Sequence, residues 1–187
     1  SDLISDGAAN FDLGIDNLRV SGGTVRYFDA RTGAEQTVTE FNLDLRAESV
    51  AGPFDATGEA TVAGLPWQLG ISGGEIRDNR PRALVIAISN SEIGLSSDFS
   101  GTLSMQKDGP VVSGRLSSSG ENLSNVLLGF GLIGNGNAIP LTLREDFRVE
   151  LKLNLTDSSV DAESINFRIG ASSAKGTGRY SWADDGE

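Results

Sequence analysis

The feature that most limits the fold of this chain is a two-residue rhythm. In FNLDLRA, Phe41, Leu43 and Leu45 fall on one side of an extended chain, and Asn42, Asp44 and Arg46 on the other. VELKLNL repeats the pattern, with Val149, Leu151, Leu153 and Leu155 set against Glu150, Lys152 and Asn154. INFRI does the same with Ile165, Phe167 and Ile169. Successive side chains of a strand point to opposite faces, whereas a helix returns to one face only after three or four residues. The rhythm therefore predicts strands with one apolar and one polar face.

Further strands are expected over 13–20, 24–29, 36–48, 54–63, 66–72, 82–89, 98–106, 110–118 and 172–182. ALVIAI, 83–88, is apolar at both parities and is expected to be covered on both sides. The turns between them are rich in glycine, of which the chain has 24 against 5 prolines. SGG at 21–23 and SGG at 72–74 are expected to close strands. DARTG, 29–33, and KDGP, 107–110, read as hairpin loops.

One segment breaks the rhythm. In SGENLSNVLLGFG, 119–131, Leu123, Val126, Leu127 and Phe130 recur at helical spacing and form one apolar stripe. Asn122 or Ser119 suits the start of this helix, and Gly129 or Gly131 its end. The stripe is expected to cap one end of the sheet. The whole chain, 1–187, is thus expected to be a single mostly-β domain. Its form is a curved antiparallel sheet or groove of about ten short strands with one short α-helix near 122–130. A closed β-sandwich, with the alternating residues as its core, is the alternative.

Gly129, Gly131 and Gly134 spell G-x-G-x-x-G, the phosphate-cradling pattern of dinucleotide-binding folds. That chemistry needs a strand before the glycines and a helix after them, because the helix N-terminus holds the pyrophosphate. Here the helix comes first, so the glycines are expected to end it and turn the chain. SSAK, Ser172 to Lys175, matches S-x-x-K, but on a strand residues three apart face opposite sides, and no S-D-N or K-T-G follows. NLS at 122 and NLT at 154 fit the glycosylation sequon and carry no weight alone. Asp12, Asp16, Asp29, Asp44 and Glu48 are acidic residues of the first strands, with nothing in the spacing to pair them at a cleft.

The chain has neither Cys nor His. Disulfides, thiolate nucleophiles, Cys/His zinc sites and a Ser-His-Asp triad are therefore excluded. The net charge is −11 and the 15 basic residues are scattered singly, which argues against a nucleic-acid face. No apolar run reaches the roughly 18 residues of a membrane-spanning helix. The abrupt start, SDLISDG, reads as that of a mature or excised chain.

Two stretches, one in each half, carry a resemblance. Residues 15–74 hold a GGTVRYFDARTG hairpin, then FNLDL, then GPFDATGEATVAGLPWQL. Residues 111–182 hold VVSGRLSSSGENLSNVLLGFGL followed by FRVELKLNLTDSSVDAESINFRIGASSAKGTGRYSW. Together these resemble the AsmA family of bacterial envelope proteins. The resemblance implies a periplasmic β-rich segment, tethered to the inner membrane through an anchor absent from this chain. It implies a non-enzymatic role in binding or transferring phospholipid, in support of outer-membrane homeostasis. Neither a cofactor nor a catalytic or metal-binding residue is implied, and other envelope proteins are possible partners.

On this basis Phe41, Leu43, Leu45, Leu151, Leu153, Leu155, Ile165 and Phe167 are expected to line an apolar groove for an acyl chain. Leu123, Val126, Leu127 and Phe130 are expected to cap its end. A structural or assembly module for outer-membrane proteins, holding no lipid, is the alternative. A β-rich carbohydrate hydrolase is disfavoured, since 6% aromatic residues leave few sugar-stacking platforms.

Overall fold

The computed structural model describes residues 15–28, 35–49, 52–75, 80–107, 109–133 and 139–182. Ten strands follow one another in the chain: β1 (Ile15–Phe28), β2 (Glu35–Ala47), β3 (Phe54–Val62), β4 (Leu65–Gly73), β5 (Arg82–Asn90), β6 (Leu95–Gln106), β7 (Gly109–Gly120), β8 (Phe147–Leu155), β9 (Ser159–Ile169) and β10 (Ser172–Ser181). Each pairs antiparallel with its sequence neighbours, in the spatial order β1 to β10. The result is a single curved, unclosed sheet that contains both the 15–74 and the 111–182 stretches. Between β7 and β8 lie one short helix, α1 (Leu123–Gly129), and a 3-10 turn over Leu141–Arg144. No second sheet packs against the first among the described residues, so the sandwich alternative does not hold.

The register converts the sequence rhythm into two unlike faces. Arg46, Asp55, Ser72, Val85, Ser100, Arg115, Lys152 and Ser164 are consecutive partners across β2 to β9 and form one row of the polar face. Cross-strand ion pairs reinforce that face. Arg19 meets Asp44 at 2.7 Å, Lys152 pairs with Glu163, and Arg179 pairs with Asp161. The hydrogen bond and charge of Asp161 hold the Arg179 guanidinium above its ordinary pKa.

ALVIAI departs from expectation. Leu84 is buried and Ile86 half-buried on the apolar face, but Ala83, Val85 and Ala87 are exposed on the other. A one-layer sheet has nothing to place over the second face. SGG at 21–23 departs too. It does not close a strand; it is a bulge within β1, where Gly22 takes φ 63°. A second bulge faces it in β2, where Glu40 takes φ 53°. Asn42 ties the two together. Its side-chain oxygen accepts from Gly22 N–H at 2.8 Å, and its amide donates to Glu40 O at 3.1 Å and Glu59 Oε1 at 3.0 Å. The DARTG tip lies outside the described residues, although Phe28 and Glu35 pair on either side of it.

The helix stands where the stripe predicts. Asn122 caps its start, accepting from Asn125 N–H at 3.3 Å. Its end is a Schellman motif: Leu132 N–H donates to Leu127 O at 2.8 Å and Gly131 N–H to Leu128 O at 2.9 Å, with Gly131 at φ 67°. Gly131 is therefore the stop residue. Gly129 has a different task, since a Cβ there would sit 2.8 Å from Ile93 Cγ2. Gly134 lies outside the described residues. With Gly129 and Gly131 employed in ending and seating a helix, the glycine run has the role expected from its context.

Candidate functional site

The face opposite the ion pairs is apolar from edge to edge. Leu18, Leu45, Ala56, Ile71, Ile86, Phe99, Leu116, Leu151, Ile165 and Gly176 are consecutive partners and cross all ten strands. A second row runs beside it through Val20, Leu43, Gly58, Leu69, Ile88, Ser97, Ser118, Val149, Phe167 and Ala174. The Ser97 and Ser118 hydroxyls interrupt this row but satisfy each other at 2.8 Å. Despite this breadth, the buried hydrophobic residues among those described are only Ala47, Leu84, Ile93, Phe99, Val126 and Phe147. Most of the apolar face is half-buried by its own neighbours rather than sealed by a second layer.

Three phenylalanines pave this face by lying against glycines. A Cβ at Gly73 would sit 2.5 Å from the Phe54 ring, at Gly114 2.6 Å from Phe99, and at Gly120 2.7 Å from Phe147. Gly101 brings Phe99 equally close, at 2.7 Å. Each ring occupies the space that a side chain on the facing strand would fill, so it lies low on the sheet instead of standing away from it.

Helix α1 covers one end of the face. Val126 is buried, Leu123 and Leu127 are half-buried, and Phe130 is tilted against Trp67 with ring centroids 5.8 Å apart. Gly129 rests on Ile93 and on Leu65, at the ends of β4 to β6. The expected stripe is thus at the sheet end, with Phe130 itself 53% exposed.

The expected groove residues share the apolar face, but not as two walls in contact. Leu43 and Leu45 lie on β2, and Leu151, Leu153 and Leu155 on β8, six strand spacings away or about 29 Å along the sheet. Phe41 opposes Gly23 on β1. Ile165 and Phe167 partner Leu151 and Val149. What joins the two groups is a set that the rhythm did not single out: Ala56, Ile71, Ile86, Phe99 and Leu116. The signal for them was the same alternation, hidden where both parities are apolar or where serine and glycine dilute the run.

The other candidates resolve individually. Asp44 is engaged by Arg19. Asp16 and Glu48 are exposed, and Asp12 and Asp29 lie outside the described residues. Ser172 and Lys175 partner Ile169 and Asn166 on the edge strand and so face opposite sides. Asn122 of the first sequon caps α1, and Asn154 of the second accepts from Ser113 Oγ. Among the described residues no group of three acidic side chains is placed to hold a metal ion. A depression of about 510 Å³ is lined mostly by polar-face residues, including Asn42, Asp44 and Glu59, and also by Leu43, Gly58, Leu69 and Ile88 of the second apolar row.

Fold and face together define a one-layer antiparallel sheet with one broad apolar surface and a helix at one end. The chain matches no protein-family model, no curated protein and no solved structure.

Proposed function

We propose that this chain is a non-enzymatic lipid-binding segment of a bacterial envelope protein, and that the apolar face receives phospholipid acyl chains. The observation that carries the reading is the row from Leu18 to Gly176, continuous over ten strands and covered by no second layer among the described residues. An exposed apolar surface of that extent calls for an apolar partner. An acyl chain gains ~0.8 kcal/mol for each methylene it buries and needs no directional partner. The resemblance of 15–74 and 111–182 to the AsmA family supplies the setting: the periplasm, an anchor in the inner membrane, and the upkeep of the outer membrane.

The test is mass spectrometry of organic extracts from purified protein, paired with uptake of a fluorescent phospholipid. Co-purifying phospholipid and saturable uptake are expected. A protein that carries no lipid and takes none up overturns the reading. The second reading, an assembly module without lipid, draws on the edge strand β10, whose residues are exposed along its whole length. Such an edge can accept a strand from another protein.

A further inference from the structure

We infer that the helix end of the sheet docks on a phospholipid bilayer, with Phe130, Leu132 and Leu141 entering its interfacial layer. This deepens the lipid-binding reading, on which its purpose rests: lipid that is to lie on the apolar face must enter from a membrane at one end.

Three observations point to the occupant. First, Phe130, Leu132 and Leu141 are 53%, 69% and 75% exposed. Leu132 holds the position of a Schellman motif that commonly packs back onto the last helical turn, yet it points outward. Second, the support is firm. Phe130 leans on Trp67, and Gly129 is seated on Ile93, which is itself buried. Third, residues 122–144 contain no Asp or Glu, in a chain that has 26 among 187 residues, and their single charge is Arg144. A carboxylate near an anionic headgroup layer is repelled, and one pressed into it is desolvated at high cost. Within the stretch both penalties are absent although the chain as a whole is strongly acidic; the exposed Glu121, Glu145 and Asp146 lie at its borders, Asp146 paired with Arg168, and Arg144 suits a lipid phosphate.

The test is flotation of the intact chain with vesicles of phosphatidylethanolamine and phosphatidylglycerol in high salt, where surface charge attraction is screened. The wild type is expected to float. Leu132→Asp combined with Leu141→Asp is expected to lower the bound fraction by at least about tenfold. Both positions are exposed, so the denaturation midpoint should not move. Val85→Asp, at an exposed mid-sheet position on the polar face, should float as the wild type does. In a Trp182→Phe background, brominated lipid should quench Trp67.

A wild type that stays with the free protein, or a double variant that floats equally well, overturns the inference. So does a wild-type dimer in gel filtration that the double variant dissolves, with no flotation, since the patch would then join two copies. Binding of a single-chain lipid below its micelle concentration is measured in parallel. Binding without flotation sinks the docking and keeps the lipid-binding face; flotation without binding does the reverse.

Discussion

The ring of Phe99 lies so close to Gly114 on the neighbouring strand that a methyl group there would be 2.6 Å from Cζ. Both residues are in mid-sheet, and Ser100 O and Gly101 Cα crowd the same spot. Gly114→Ala is therefore expected to cost about 1–3 kcal/mol by overpacking, read from the urea midpoint. Gly176→Ala, where nothing lies within 4 Å, serves as the contrast and should be near neutral. Equal costs at the two positions would mean that the ring is not what Gly114 makes room for.

Asn42 holds two bulges in register with one side chain. Asn42→Ala removes the acceptor for Gly22 N–H and two donated bonds. The expected loss is about 1 kcal/mol, because the site is partly open to water, which replaces some of those bonds. Hydrogen exchange at the Gly22 amide should speed up more than at Ala56 or Leu69. Uniform exchange across β1 to β4 would argue that the bulges hold themselves.

Two glycines of the 129–136 run should respond to alanine for different reasons. Gly131→Ala forces a side chain into the left-handed region and should cost about 1 kcal/mol, with Gly131→Asn milder. Gly129→Ala keeps a helical backbone but collides with Ile93 Cγ2, so in an Ile93→Ala background, which lacks that carbon, Gly129→Ala should cost less while Gly131→Ala costs the same. Added nucleotide should leave the melting temperature of the wild type unchanged.

Leu153 separates an open face from a dry core. It is half-buried on β8 and partners Gly114 and Ala162. Leu153→Gln on an uncovered face leaves the new amide in reach of water, so stability should fall by less than about 1 kcal/mol while phospholipid uptake drops. A loss of several kcal/mol would place Leu153 in a sealed interior.

Much of this arrangement was legible in the sequence, because alternation fixes which residues share a face. Phe41 to Leu45, Val149 to Leu155 and Ile165 to Ile169 needed only their own spacing. The helix 123–129 was legible too, since four apolar residues at helical spacing follow a good cap at Asn122. What could not be read locally was which row meets which. The partners of Leu45 and Leu151 depend on the register of every strand between them, and a bulge shifts that register by a residue. SGG at 21–23 shows the limit: glycine at positive φ serves a turn and a bulge equally, and only the pairing of β1 with β2 decides. ALVIAI shows another, since its second apolar parity records no covering layer.

The order of the strands has a consequence for how the chain reaches this state. Because each strand lies beside its sequence neighbours, the sheet can zip up one hairpin at a time, and the long connection that must close is the one over 121–146, between β7 and β8. The energetics then approach those of a one-dimensional array, in which each strand is held by two neighbours and each edge strand by one. Fraying should start at β1 and β10 and travel inward. Native-state hydrogen exchange is expected to show protection rising from both edges towards β5 and β6, where Leu84 and Phe99 are buried. A chain built this way loses its sheet gradually from the rims instead of all at once, so a strand added at either edge would slow its unravelling from that side.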